Sequence, residues 1–476
     1  MKYEMVVGLE VHVELATKTK IFCSCTTEFG GEPNTHCCPI CTGMPGVLPV
    51  LNEKVVEFAV AVGLATNCDI TPYGKFDRKN YFYPDLPKAY QVSQLYLPIC
   101  RNGYLEIEGE GFQKKIGIHE IHMEEDAGKL IHDPIFDATL ADYNRCGVPL
   151  IEIVSEPDFR SAAEVIAYLE NLKSILQYLG VSDCKMQEGS LRADINLSVR
   201  PEGQEEFGTR TEMKNMNSFR AIARAIESER KRQIEVLEDG GKVIQQTRRW
   251  DDNAGKSTAM RSKEDAQDYR YFPEPDLAPV VISDEWKESI RRSLPMLPKE
   301  RKEQYIEKYG LSQYDAGIIV GIKALADYFE EVNHICDNPK EVANWLLGDF
   351  MRLAKEGEED SFNLLLDAAK LADIINMVRD GVINRNTAKK VFAEVWHDNL
   401  DPKAYVEEHN LAMVGDDNLI KDAVMKVLEN HPKTVEEYKG GKEKVLGFLV
   451  GQCMKELKGK ADPGTVNQLL REMLNQ

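Results

Sequence analysis

No apolar stretch of the chain approaches the ~18 residues that a membrane-spanning helix needs, so no helical membrane span is expected. No export signal is expected either. Met1-Lys2-Tyr3-Glu4-Met5-Val6-Val7 runs straight into the first predicted strand and leaves no room for one. Nor is there a disulfide framework: the eleven cysteines are odd in number and scattered. They are expected to be reduced thiols of a cytoplasmic protein. Positive charge is scarce, with 59 Lys and Arg against 79 Asp and Glu and a formal net charge of −20. That balance argues against coating nucleic acid by bulk electrostatics. A structured RNA partner would have to be held by local basic patches. The sequence has no P-loop, no GxGxxG before a helix and no GxSxG elbow. A nucleotide site, if present, is therefore of the sheet-cradled kind.

What is present begins at Gly8-Leu9-Glu10-Val11-His12-Val13-Glu14-Leu15, a strict alternation with the period of a half-buried strand. Leu9, Val11, Val13 and Leu15 share one face, so Glu10, His12 and Glu14 share the other. A solvated outer face is the plain reading of one such strand. A second strand changes the balance: Leu191-Arg192-Ala193-Asp194-Ile195-Asn196-Leu197-Ser198-Val199-Arg200 alternates as cleanly, with Arg192, Asp194, Asn196, Ser198 and Arg200 on its polar face. Thr211-Glu212-Met213-Lys214 follows shortly after it.

Cys23-Ser24-Cys25 and Cys38-Pro39-Ile40-Cys41 are two close pairs joined by a short loop. Four thiolates on such turns suit a closed, structural tetrahedral Zn²⁺ site, one that folds a loop poor in apolar residues. A coincidental group of free thiols is the other reading. His36 and Cys37 leave the third ligand open between Cys37 and Cys38, with the Cys-Pro-x-Cys knuckle favouring Cys38.

At 476 residues and 43% hydrophobic the chain has material for real cores, and about three domains are expected. Asn52 is read as capping a helix from Glu53 to Leu64. Ser161, with Glu164 in the capping-box position, opens another that ends at Gly180. Lys75-Phe76-Asp77-Arg78-Lys79-Asn80-Tyr81-Phe82-Tyr83-Pro84-Asp85 interleaves cations and rings, as phosphate and base contacts require. Asp268-Tyr269-Arg270-Tyr271-Phe272-Pro273-Glu274-Pro275-Asp276 echoes it. His122-Met123-Glu124-Glu125-Asp126-Ala127-Gly128-Lys129 is either a metal-and-phosphate corner or a solvated acidic turn. From about Ser283 strand signals cease. The boundaries expected are 1–292, 293–405 and 406–476, the last segment carrying Lys442, Lys444, Lys458 and Lys460 beside glycines. These lysines are either an RNA-backbone contact or an ordinary solvated surface.

Glu10, Glu124, Glu125, Asp194 and Glu212 are the oxygen donors expected for Mg²⁺. His12 is a poorer Mg²⁺ ligand, and two roles stay open for it: a phosphate contact, or a bias toward tolerating Mn²⁺. Lys79, Arg192 and Lys214 are expected to neutralise charge on a transferred phosphoryl group.

The segments 8–15, 76–85, 122–129, 188–192 and 268–276 together resemble the signatures of the GatB family, one of the subunits of the aspartyl/glutamyl-tRNA amidotransferases. The resemblance runs from residue 3 to the C-terminus. It implies an α+β chain: a mixed-sheet cradle related to glutamine synthetase and bearing the zinc loop, then an all-α domain, then a small helical tRNA-binding tail. It also implies a catalytic set of Glu10, His12, Lys79, Glu124, Glu125, Asp194 and Glu212, with Arg192, Asn196 and Lys214 binding nucleotide. Mg²⁺ is implied on Glu10, His12, Glu124, Glu125 and Glu212. The implied activity is an ATP-dependent carbon–nitrogen ligase: it phosphorylates the side-chain carboxylate of Glu-tRNA(Gln), Asp-tRNA(Asn) or both, and ammonia then displaces phosphate. The chain has no Ser/Gly-rich amidase signature, so ammonia is expected from a separate amidase subunit, with a small third subunit completing a heterotrimer. A free-standing ammonia-dependent ligase and a non-catalytic tRNA scaffold are the alternatives. The family usually carries Asn where this chain has Asp462.

Overall fold

The computed structural model describes residues 2–133, 135, 137–262, 268–354, 364–413, 417–457 and 460–475. The chain divides into two compact units, Met1–Pro298 and Lys299–Gln476.

The first unit is organised on a nine-stranded mixed sheet. In chain order its strands are β1 (Tyr3–Glu14), β2 (Asp69–Ile70), β3 (Cys100–Gly109), β4 (Phe112–Glu125), β5 (Pro149–Ser155), β6 (Leu191–Pro201), β7 (Thr211–Lys214), β8 (Gln246–Asp251) and β9 (Lys256–Ser262). Their spatial order is β9-β8-β7-β6-β1-β5-β4-β3-β2. Every pair is antiparallel except β7–β8, which is parallel. The first strand of the chain is thus central, flanked by β5 and β6. Its alternation is realised as written: Leu9, Val11, Val13 and Leu15 are buried, while Glu10, His12 and Glu14 lie on the other face. Helices α1 (Glu53–Ala65), α2 (Ala162–Leu179) and α3 (Phe219–Glu238) contribute Val60, Leu169, Leu172, Ala225 and Ile226 to the same apolar core.

The predicted caps form. The Asn52 side chain accepts from the Lys54 N–H, and Ser161 accepts from the Glu164 N–H. The Glu164 carboxylate in turn accepts the Arg160 N–H at 2.8 Å. Gly180 closes α2 at φ +67, a left-handed conformation that costs glycine least. The two aromatic-proline segments meet: Phe272–Pro273 pairs with Asp77–Asn80, which pairs with Tyr90–Ser93. Arg78 locks this join, bonding Glu274 at 2.6 and 2.8 Å and Asp276 at 3.2 Å while facing the Tyr90 ring.

Helix α4 (Asp284–Ser293) lies in the first unit and buries Ile290 in its core. The division between units therefore falls at Pro298, a few residues beyond the expected boundary at 292. The described residues of the second unit form helices and no strands. Tyr328, Trp345, Phe350, Phe392 and Trp396 form a buried aromatic group in it. Helices Asp417–Asn430, Leu446–Glu456 and Pro463–Leu474 share a separate apolar core around Val424, Leu449, Cys453, Val466 and Leu470. Asp462 caps the last of them, accepting the Thr465 N–H at 2.7 Å. An asparagine could cap through the same kind of oxygen. No helix among the described residues is long and apolar enough to cross a membrane.

Candidate active site and cysteine centre

The register of the sheet decides what the polar face holds. Glu10 stands opposite Asp194, and His12 opposite both Arg192 and Glu152; Glu152 in turn opposes His122. On the far side of β6, Asn196 opposes Glu212. Two groups of candidate cation ligands result. One is His12, Glu124 and Glu152; the other is Glu10, Asp194 and Glu212. In each, the donor atoms lie within 4.8 Å of one another.

The His12 ring joins the two groups. Its Nδ1 is 3.2 Å from Glu124 Oε1 and its Nε2 is 3.8 Å from Asp194 Oδ2. Burial alone would discharge this imidazole, but Asp194, Glu124 and Glu152 outweigh it and raise His12 to about 10. His122, 3.1 Å from Glu152, is likewise raised to about 10 against burial by Glu120 and Glu152. Glu152 is held at about 2 despite its burial, by His122 first and then His12 and Lys79. Asp194 is also held low against burial, by His12 and Lys214. Glu10 differs. Burial and the charges of Glu152, Glu212 and Asp194 raise it, against one hydrogen bond from Asn196 Nδ2 at 2.9 Å. A carboxylate crowded by like charge is an incomplete cation site, and the oxygen-rich donor set around it suits Mg²⁺.

His12, Glu124, Glu152 and Asp194 border a cavity of about 1350 Å³, more than the ~300–1,000 Å³ of an ordinary small-ligand pocket; Glu10 and Glu212 stand behind Asp194 in the second group and do not line it. Lys214, Lys79, Tyr81, Asp126, Arg145 and Arg192 also line the cavity. Lys214 binds Asp194 and, at 3.2 Å, Glu212. Lys79 lies over the Tyr269 ring at 5.1 Å.

Two expected residues are engaged otherwise than expected. The carboxylate of Glu125 belongs to neither group: it accepts from half-buried Lys88 and from the Val92 N–H at 2.9 Å. Successive residues of a strand point to opposite faces, so Glu124 and Glu125 cannot both serve one site. Arg192, expected on nucleotide, binds Asp126 at 2.8 Å, although it also lines the cavity. In the tail, Lys442 pairs with Glu437 at 3.4 Å and Lys460 bonds the Asn410 carbonyl. Lys444 is exposed, and Lys458 lies outside the described residues.

The four predicted cysteines come together: Cys23, Cys25, Cys38 and Cys41 place their sulfurs within 4.8 Å of one another. The Cys38 and Cys41 sulfurs are 3.9 Å apart, close to the ~3.8 Å edge of a tetrahedron with Zn–S bonds of about 2.3 Å. Cys37 turns its thiol to the Asn34 carbonyl at 3.3 Å, and His36 faces the Glu28 carbonyl. The open choice of third ligand is thereby narrowed to Cys38. A hydrogen bond from Cys23 holds Cys41 down to about 5 against burial.

Residues 5–288 match the family model described as GatB/GatE catalytic domain, and residues 327–474 match one described as GatB domain. The chain belongs to the GatB/GatE family. Among relatives of this GatB/GatE chain, the B-type subunit of the aspartyl/glutamyl-tRNA(Asn/Gln) amidotransferase of Lachnoclostridium phytofermentans is 67% identical, covering 100% of this chain and 99% of that protein. Those of Caldicellulosiruptor bescii and Thermoanaerobacter pseudethanolicus are 60% and 56% identical, each alignment covering 100% of both proteins.

Glu152 is a member of the first candidate ligand group that was not expected from the sequence, and His122 stands behind it, 3.1 Å away. Glu152 carries the same signal as His12, a polar residue between two buried ones in Ile151-Glu152-Ile153. Gln91, which donates to Glu124 at 3.0 Å and to the Glu125 carbonyl at 2.8 Å, has no sequence signal of its own.

Proposed function

We propose that this chain, as the GatB component of a tRNA-dependent amidotransferase, activates the side-chain carboxylate of glutamate on tRNA(Gln), of aspartate on tRNA(Asn), or of both. A carboxylate oxygen attacks the γ-phosphorus of ATP and ADP departs. Ammonia then attacks the acyl carbon of the mixed anhydride, phosphate leaves, and the surplus proton passes to base or solvent. The single observation that supports this reading is the pair of carboxylate groups joined through His12 at the wall of a cavity with room for a nucleotide and a second reactant.

Glu10, Glu124, Glu152, Asp194 and Glu212 would hold Mg²⁺, or Mn²⁺ in its place. Such a cation, when bound, neutralises charge on the phosphates. Lys79 and Lys214 supply fixed positive charge where negative charge grows in transfer. His12 is placed to hold a proton at Nε2 or Nδ1 and to orient Glu124 and Asp194. Arg192, with Arg145, fixes Asp126 at the cavity wall and so helps to shape the substrate end.

The partners on this reading are an amidase that supplies ammonia and a small third protein that joins the two, in the cytoplasm. Kinship of the mixed-sheet cradle with glutamine synthetase belongs to the same reading, since both would join ammonia to an activated carboxylate. A Zn²⁺ on Cys23, Cys25, Cys38 and Cys41 would hold the loop structurally. The tail after about residue 405 would grip tRNA.

The test uses the complex assembled with its co-expressed partners. Glu10→Gln and Glu152→Gln each keep shape and remove one charge. Both variants are expected to assemble and to bind tRNA, while tRNA-dependent ATP hydrolysis and amide formation fall at least ~100-fold. Free ammonium is not expected to rescue them, because activation and not ammonia supply is missing. Near-normal amidation of the variants with ammonium would overturn the assignment.

A further inference from the structure

Lys20 is completely buried, a rare state for lysine. It lies at the edge of the cysteine loop, where its N–H donates to the Cys25 carbonyl at 3.0 Å and its neighbour Thr19 bridges to Thr26. Among the described residues no Asp or Glu lies within ion-pairing distance of its ammonium. The hydrogen bond this group makes is to Cys41 Sγ, at 3.7 Å. An ammonium sealed from water without an anion in contact is costly, and a neutral thiol is only a weak acceptor. The arrangement makes physical sense when the sulfur carries charge.

Four thiolates around one divalent cation leave a dianionic centre, which is itself costly to bury. The two problems solve each other. We infer that Lys20 is the built-in countercharge of the four-cysteine centre, holding its excess negative charge and favouring four sulfurs over three sulfurs plus a neutral ligand. Lys20 touches no metal on this account; it is a positioning residue acting through Cys41. The inference rests on the zinc reading proposed above.

The experiment uses the full-length chain, wild type against Lys20→Met, which keeps length and apolar stem, and Lys20→Gln, which keeps an N–H donor without charge. Zinc affinity is read by competition with a chromogenic chelator, and unfolding midpoints are recorded for metal-loaded and metal-stripped protein. Both variants are expected to bind zinc at least ~10-fold more weakly than wild type, the scale of losing an outer-shell partner. Stripping the metal should lower the midpoint of wild type more than that of either variant, because the stripped wild type retains an uncompensated ammonium. Cys37→Ser should leave zinc affinity unchanged. Wild-type affinity in both variants, or in Lys20→Gln alone, would overturn the inference. An equal fall in the midpoints of loaded and stripped forms would do the same, since it would mark a packing role. Wild-type chain that binds no zinc would remove the zinc reading and this inference together, a result distinct from the others.

Discussion

Between Glu124 and Asp194 the imidazole of His12 is worth more as a cation than as a neutral ring, and this makes stability depend on pH. Its pKa rises on folding from 6.5 to about 10, as does that of His122. Folding therefore binds protons. The stability so gained is fully present below pH 6.5 and is lost as pH rises through 10. In metal-free protein the unfolding midpoint should fall across this window, and His12→Gln should flatten the fall; an unchanged slope in the variant would show that the ring is not charged by its neighbours. At this scale the sequence was partly legible. His12 and Glu10 stood out because a polar residue between buried ones announces its face. Glu125 misled because three adjacent carboxylates read as one cluster, whereas strand geometry sends alternate members to opposite sides. Lys20 and Lys88 gave no signal, since neither burial of a single lysine nor its distant partner is written in local pattern.

Among the elements, the alternating strands were the most readable and their order the least. Period two identifies β1 and β6 and the face each buries, but nothing local says that β7 and β8 run parallel or that β1 lies between β5 and β6. The two aromatic-proline segments echo one another in sequence, but their pairing is seen only in the structure. Arg78 is what makes that pairing firm, because the side chain of Glu274 is only 2% exposed and Arg78 satisfies both its oxygens. Arg78→Ala would strand this carboxylate, a change of about 3–5 kcal/mol for a broken buried pair. Denaturant unfolding of the first unit's signal should report the loss. Arg78→Lys is expected to recover only part of it, since an ammonium cannot match the two-pronged contact. A cost below about 1 kcal/mol for the alanine variant would place the pair among weak surface bridges.

For the whole molecule, a net charge of −20 sets the conditions under which tRNA can be held. Local lysines must act against a repulsive background, so binding should weaken steeply with salt. Of the tail lysines singled out, Lys442 and Lys460 already have partners within the protein, and Lys444 is exposed. Lys444→Ala is therefore expected to weaken tRNA binding alike for both tRNAs and to lower the salt slope by about 1, measured by filter binding over a salt series. An unchanged slope would return this lysine to the solvated surface. The central place of β1 has a consequence of another kind, for the order in which the fold can be completed. The hairpin of β3 and β4 pairs neighbours in sequence and can close as soon as it is made. Glu10 and Asn196, bonded across β1 and β6, are separated by 186 residues. At roughly 5–20 residues per second of synthesis, the first strand waits on the order of ten seconds or longer for that neighbour. The strand made first thus waits for both its partners, β5 and then β6, and until each is made the matching edge is open to the wrong partner.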